Sequence, residues 1–264
     1  MSTINFFKYQ GTGNDFIMID NRCHIFSLEN SSCKNIEALI SKLCDRKFGI
    51  GADGLILIQN HEDYDFEMVY YNADGSQSMC GNGSRCAVHF ASYLGIVQEK
   101  TTFLAIDGAH SAFIEGELIH LKMNNVSEVK NINDNIFIDT GSPHIIKYVD
   151  DIATYPIFDE GRKIRNSAFF KKEGTNVNFV QLLDRNKISV RTYERGVEDE
   201  TLSCGTGVTA VSLAVSAKGL VSPISIKTLG GMLKVSFSKI DEETFEEIYL
   251  IGPAGMVFEG KIKI

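Results

Sequence analysis

No cluster of Lys and Arg offsets the acidic balance of this chain, which carries a formal net charge of −8 over 264 residues. That absence argues against a nucleic-acid or anionic-membrane surface as partner. No segment approaches the roughly 18 consecutive apolar residues that a membrane span requires. The stretch Met1-Ser2-Thr3-Ile4-Asn5-Phe6-Phe7-Lys8 has no basic region ahead of a long apolar run, so it does not read as a signal peptide. Proline is scarce, with four residues, and no low-complexity linker divides the chain. Paired Cys-x-x-Cys and His-x-x-x-His spacings are also missing, which leaves a zinc site weakly supported and no metal ligands assigned. Six unevenly spaced cysteines without an export signal do not make a disulfide framework. The expectation is a soluble, cytoplasmic protein with reduced thiols.

What is present is an ordinary globular composition, 44% hydrophobic and 23% charged, enough for one large domain or two smaller ones. Within it, one pattern occurs twice. Cys80-Gly81-Asn82-Gly83 and Cys204-Gly205-Thr206-Gly207 each run into an apolar, alanine-rich, helix-like stretch, Cys86 to Leu94 and Val208 to Val215. A cysteine at a helix mouth meets unpaired backbone N–H groups and the positive end of the macrodipole, which favour the thiolate. The glycines let backbone amides approach a ligand and form a seat for a carboxylate. A cysteine is more often a small core residue, a reading that suits Cys23, Cys33, Cys44 and Cys86. It suits Cys80 and Cys204 poorly, because Gly-x-Gly is costly inside an element. Two matched sites suggest a duplicated domain carrying a pair of opposed thiols.

Around these motifs the chain reads mainly as strands: Phe16–Asp20, Leu55–Ile58, Phe66–Tyr71, His110–Ile114 and Leu118–Met123, with Glu115-Gly116-Glu117 as a hairpin turn. Ile36, Leu39, Ile40, Leu43 and Cys44 mark an amphipathic helix. The second half repeats the order loosely, with a charged helix-like stretch from Asp159 to Arg165, a loop from Lys171 to Asn176, and strands from Val177, Ile188, Ile224, Met232 and Ile248. The polar stretch Asn124 to Asn135 reads as a loop near the crossover, and Glu194-Arg195-Gly196 as the turn that opens the second cysteine helix. Both cysteine helices are apolar nearly all round, so each must be enclosed. The expected architecture is α+β: two pseudo-symmetric domains, each an antiparallel sheet or barrel curled around a central helix, with the active site in the cleft between them. The expected halves are residues 1–115 with 254–264, and residues 116–253.

Two opposed thiols can exchange disulfides or transfer protons from two sides. Redox exchange prefers cysteines two residues apart at one helix start, which this chain lacks. In two-base transfer a thiolate removes a proton from one face of a carbon, and a thiol delivers another to the opposite face. With a carbon acid as weak as an amino acid α-carbon, preorganised amides on the carboxylate supply the largest stabilising term.

The sequence resembles the diaminopimelate epimerases through seven segments in family order: Gly11-Thr12-Gly13-Asn14-Asp15-Phe16, Gly49-Ile50-Gly51-Ala52-Asp53-Gly54, Asn72-Ala73-Asp74-Gly75-Ser76, Cys80-Gly81-Asn82-Gly83, Thr175-Asn176, Tyr193-Glu194-Arg195-Gly196 and Cys204-Gly205-Thr206-Gly207. The resemblance implies a cofactor-independent isomerase interconverting LL- and meso-diaminopimelate, a small-molecule substrate, with no pyridoxal phosphate. It implies Cys80 and Cys204 as acid and base, and Asn14, Asn72, Asn176, Glu194 and Arg195 as the grip on the distal amino acid end. It also implies that the amides of Gly81, Asn82, Gly205 and Thr206 hold the reacting carboxylate, and that His144 and Glu194 tune the thiols. Ser142 departs from the family pattern, where Asn is expected, and Gly54 stands where some relatives carry a Gln contact. On the residues alone, a proline racemase-type epimerase, a thiol-redox or metal-binding protein and a pure binding module remain open. Whether the chain pairs into a homodimer is not legible.

Overall fold

In the computed structural model the chain forms two units, Met1–Leu121 with Pro253–Ile264, and Lys122–Gly252. Residues 3–31, 33–132, 134–170 and 172–264 are described; Met1, Ser2, Asn133 and Lys171, which figure in the sequence readings, lie outside them.

The first unit contains β1 (Thr3–Gly11), β2 (Asn14–Asp20), α1 (Ile36–Cys44), β3 (Gly54–Gln59), β4 (Phe66–Asn72), α2 (Gly81–Tyr93), β5 (Lys100–Ala105), β6 (Gly108–Glu115) and β7 (Leu118–Lys122). The second contains β8 (Lys130–Ile132), β9 (Asn135–Asp139), β10 (Pro143–Tyr148), α3 (Ile157–Arg165), β11 (Asn176–Asp184), β12 (Lys187–Glu194), β13 (Asp199–Thr201), α4 (Gly205–Val215), β14 (Ile224–Thr228), β15 (Gly231–Lys239) and β16 (Phe245–Pro253). The chain then returns to the first unit as β17 (Gly255–Lys263), antiparallel to β1. Residues 116–121 stay with the first unit because β6 and β7 pair as a hairpin, with Glu115 opposite Leu118.

Antiparallel ladders dominate both units, but each helix-bearing crossover brings two strands together in parallel. β2 and β3 flank α1, β4 and β5 flank α2, β10 and β11 flank α3, and β12 and β14 flank α4; all four pairs are parallel. A parallel pair needs a crossover of a dozen or so residues, and these helices fill that requirement.

The apolar stripe of α1 forms as its sequence predicts. Asn35 caps it by accepting from Ala38 N, and Leu39, Ile40, Leu43 and Cys44 pack on Ile17, Ile19, Leu55 and Leu57. α2 lies on β1, β2, β3, β4 and β17, and α4 on β9, β10, β11, β12 and β15. Along α2, Cys86, Ala87, Val88, Phe90 and Ala91 are fully buried, as are Val208, Ala210, Val211 and Val215 along α4. Each large apolar side chain so enclosed contributes about 1.5–3 kcal/mol. The central helices are therefore held by their own units rather than by helix propensity, which their glycines and β-branched residues weaken.

Two strands fall where none was expected. β13 forms a ladder with Thr192–Glu194, so the turn at Glu194-Arg195-Gly196 closes a hairpin before the chain reaches Cys204. β8 pairs with β9 inside the stretch read as loop. Among the described residues no helix is long and apolar enough to cross a membrane.

Candidate active site

Each motif cysteine is the N-cap of its central helix, with extended backbone at φ −140° for Cys80 and φ −113° for Cys204. Ser84 N donates to Cys80 O and Val208 N to Cys204 O, so the amides of Gly81, Asn82, Gly205 and Thr206 belong to helix turns that supply them no internal acceptor. Gly83 N donates to Cys80 Sγ at 3.4 Å. Cys80 is partly exposed and Cys204 only 7% exposed.

The first unit fixes Cys80 through a chain of oriented amides. Asn14, at the start of β2, donates its amide nitrogen to Asp53 Oδ2 at 2.7 Å, so its carbonyl oxygen faces Cys80 Sγ at 3.5 Å. Asn82 Nδ2 donates to the same Asn14 oxygen at 3.3 Å. Asp53 is in turn held by Arg46, which also forms a two-pronged pair with Asp15. Lys8 closes the cluster on Asp15 at 2.8 Å and on Gly51 O. Burial alone would raise the Asp15 carboxyl, but hydrogen bonds from Arg46 and Lys8 outweigh it and hold the group well below the usual carboxylate range. Asn72 stays within its own turn: its nitrogen donates to Ser76 and Ser78 hydroxyls and its oxygen accepts from Tyr70.

The departure at Gly54 has a steric cause. A Cβ there would lie 2.5 Å from both Tyr70 Cε2 and Tyr71 O, so this backbone accepts no side chain at that position.

Arg85 is a functional candidate that the sequence reading passed over. It is fully buried, and its guanidinium donates to Gly81 O, Thr12 Oγ1 and Asn82 Oδ1, pinning the first turn of α2 to the β1–β2 turn. Burial pulls its pKa down, with the neighbouring Cys86 and Cys80 opposing. The signal available was one charged residue inside an otherwise apolar helix.

In the second unit, His144 at the start of β10 is fully buried, and burial followed by the charge of Arg195 brings its pKa down to about 3. It is therefore neutral at ordinary pH. Its two ring nitrogens lie 3.1 Å from Asn178 Nδ2 and 2.9 Å from Ser142 Oγ. Ser142 also lies 3.1 Å from Thr206 Oγ1, which is 3.5 Å from Cys204 Sγ. Asn176 accepts from Arg195 N at 2.9 Å and donates to Ser142 Oγ at 3.3 Å. Glu194 Oε2 accepts from Thr201 Oγ1 at 2.9 Å, and the exposed Arg195 guanidinium donates to Glu173 O. Asn178 and Thr192, absent from the sequence reading, complete this group through a 2.9 Å bond.

All six cysteines are thiols, and their surroundings separate them. Burial pushes the Cys44 and Cys86 thiols up to about 12, which makes them inert core residues. Cys33 is partly buried against the core of the first unit, whereas Cys23 is exposed, contrary to the core reading, because it follows the β2 end in an open turn. Among the described residues no group of three or more His, Cys, Asp or Glu side chains is arranged to hold a metal. A hollow of about 460 Å³ at Tyr148, Asp150, Asp151 and Tyr155 includes none of the site residues.

This sheet-rich α+β architecture with two central helices recurs in a solved structure of a Bacillus anthracis phenazine biosynthesis protein of the PhzF family, with a TM-score of 0.79 at 14% identity over 100% of both chains. That likeness defines the fold class. The family is defined by sequence: the diaminopimelate epimerase model matches residues 6–111 and 136–257. Diaminopimelate epimerase of Flavobacterium psychrophilum is 54% identical over 97% of this chain and 99% of its own, and that of Aquifex aeolicus 41% identical over 98% of each. The chain belongs to the diaminopimelate epimerase family.

Proposed function

We propose that this protein interconverts LL- and meso-diaminopimelate by two-base proton transfer at the α-carbon, in lysine and peptidoglycan precursor synthesis in the cytoplasm. The observation that carries the reading is the pair of helix-capping cysteines, each followed by Gly-x-Gly, in a chain that belongs to this family. Cys80 and Cys204 serve as acid and base, and the two units act as halves of one enzyme, each supplying one thiol. The amides of Gly81, Asn82, Gly205 and Thr206 receive the reacting carboxylate, where helix N-termini favour negative charge. Asn14, Asn72, Asn176, Glu194 and Arg195 receive the distal amino acid end, whose carboxylate and ammonium are complemented by an adjacent Arg and Glu. His144 and Glu194 tune the thiols. No cofactor takes part, since two thiols suffice for proton removal and delivery. A homodimer is part of the reading: Met256, Val257 and Phe258 on β17 form an exposed apolar run suited to self-association, which sedimentation at several concentrations tests.

The functional test is α-hydrogen exchange in deuterated water. LL-diaminopimelate exchanges and epimerises with the wild type, proline does not, and Cys80→Ala or Cys204→Ala abolishes epimerisation. Full epimerisation by either variant, or preferential turnover of proline, overturns the assignment.

A further inference from the structure

The polar groups around Cys204 leave little freedom in the direction of their hydrogen bonds, and that direction ends on sulfur. Ile145 O can only accept, so Asn178 Nδ2, 3.2 Å away, is the nitrogen of its amide, and the same nitrogen donates to His144 Nδ1. His144 is neutral, so Nδ1 accepts and its proton resides on Nε2, which donates to Ser142 Oγ. Arg195 N can only donate, which fixes the oxygen of Asn176 and turns its nitrogen toward Ser142 Oγ and Pro143 O. Two donors thus occupy the lone pairs of Ser142, whose own O–H is directed to Thr206 Oγ1. Thr206, having accepted, points its O–H at Cys204 Sγ. Thr140 Oγ1 donates to Thr206 O at 2.9 Å and holds the two segments in register.

The partners of Cys80 are of another kind. Asp53 takes the amide nitrogen of Asn14, so a carbonyl oxygen, an acceptor, faces Cys80 Sγ. Gly83 N donates to the same sulfur and the buried Arg85 guanidinium lies beside it, so groups other than Ser142 and Thr206 set the state of Cys80.

We infer that Ser142, held by His144, Asn176 and Asn178, is a positioning residue that directs the Thr206 hydroxyl onto Cys204, where it favours the thiolate of that cysteine in the unliganded enzyme. This rests on the epimerase reading for its consequence. Cys204 S⁻ removes the α-proton and becomes S–H, while Cys80 S–H delivers its proton to the other face and becomes S⁻. The substrate keeps its composition, and the enzyme is left with the two thiol states exchanged. The relay thus acts on the direction of turnover in which Cys204 is the base. Ser142 in place of the expected Asn makes the chain directional: a hydroxyl that accepts twice must donate onward.

The test is the pH dependence of iodoacetamide alkylation, read at each cysteine by peptide mass mapping on the full-length, substrate-free protein. The midpoint, unlike the absolute rate, does not depend on exposure. Loss of the relay is expected to raise the Cys204 midpoint by about one pH unit, tenfold in thiolate fraction. Ser142→Ala and Thr206→Val each raise the Cys204 midpoint while leaving the Cys80 midpoint in place, and Thr206→Ser restores the wild-type value. Far-UV circular dichroism confirms that each variant is folded, and the two independent removals guard against loss of either one. No response of the Cys204 midpoint to both Ser142→Ala and Thr206→Val, or an equal shift at Cys80, overturns the inference. Because no substrate is present, these outcomes are separate from the turnover assay: intact epimerisation with an unresponsive Cys204 midpoint refutes the relay alone, and a responsive midpoint without epimerisation refutes the function alone.

Discussion

Replacing Gly207 by Ala should destabilise the second unit by about 2–3 kcal/mol, although helix propensity alone predicts the reverse. Gly207 is the third residue of α4, and Ala in a helix is favoured over Gly by at most about 1 kcal/mol. A Cβ at this position, however, would lie 2.4 Å from Asn178 Oδ1 and 3.3 Å from Cys204 Sγ. Ordinary contact requires roughly 1 Å more, which the Asn178 side chain can yield only by leaving its place. It is fully buried and bonded to Thr192 Oγ1 at 2.9 Å, His144 Nδ1 at 3.1 Å and Ile145 O at 3.2 Å. Each such bond is worth about 1 kcal/mol, and a buried group left unpaired costs about 1–3 kcal/mol. The losses exceed the propensity gain. Urea unfolding followed by circular dichroism measures the difference, and a cycle with Asn178→Ala isolates the clash, because on that background Gly207→Ala should cost close to nothing. A Gly207→Ala protein as stable as the wild type would refute the reasoning. Gly83, the counterpart in α2, is the contrast: its nearest neighbour is the tip of Ile56 at 3.1 Å, so Gly83→Ala should cost under about 1 kcal/mol.

Arg195→Ala should lower kcat/KM for diaminopimelate at least about tenfold, or about 1.4 kcal/mol, short of the roughly 2–5 kcal/mol for truncating one partner of a fully desolvated charge pair because the guanidinium is exposed, and Arg195→Lys should recover only part because an ammonium lacks the planar fork; unchanged turnover in steady-state kinetics would remove Arg195 from the distal site. His144 gives a stability signature with a defined sign. Its folded pKa of about 3 lies below its ordinary 6.5, so the unfolded state takes up the proton first and stability falls as pH drops through that window. The slope approaches about 1.4 kcal/mol per pH unit below the unfolded value. Urea midpoints between about pH 5 and 7 should therefore fall with acid in the wild type and flatten in His144→Gln; equal slopes would show that His144 does not contribute.

The parts of the fold that a local pattern specifies were legible in the chain. The stripe Ile36, Leu39, Ile40, Leu43 and Cys44 marks α1 from end to end, and the two Cys-Gly-x-Gly mouths locate the N-caps of α2 and α4. What was hidden depends on pairing across distance. Asp199-Glu200-Thr201 has no strand pattern of its own and becomes β13 because Thr192–Glu194 lies beside it and Arg191 grips Glu200 with both Nε and Nη2. Asn178, between Val177 and Phe179, reads as the solvent side of an alternating strand. α4 covers that side, so the asparagine is buried and must find partners. Gly54 was legible only as a missing contact, while Tyr70 and Tyr71 on the neighbouring β4 supply the reason.

The return of the chain to β1 through β17 gives the two units different histories during synthesis. The second unit has strands β8 to β16 in one continuous stretch and can close as soon as that stretch has left the ribosome. The first unit begins earlier yet finishes later, because the partner of Thr3–Gly11 is made only after the whole of the second unit. Until β17 arrives, β1 keeps one edge unpaired, an exposed template for misplaced strands, and α2 lacks one of the strands it packs on. The cysteine helix made first is thus the last to be enclosed, and the surroundings of Cys80 are complete only when the sequence beyond Gly252 has been added.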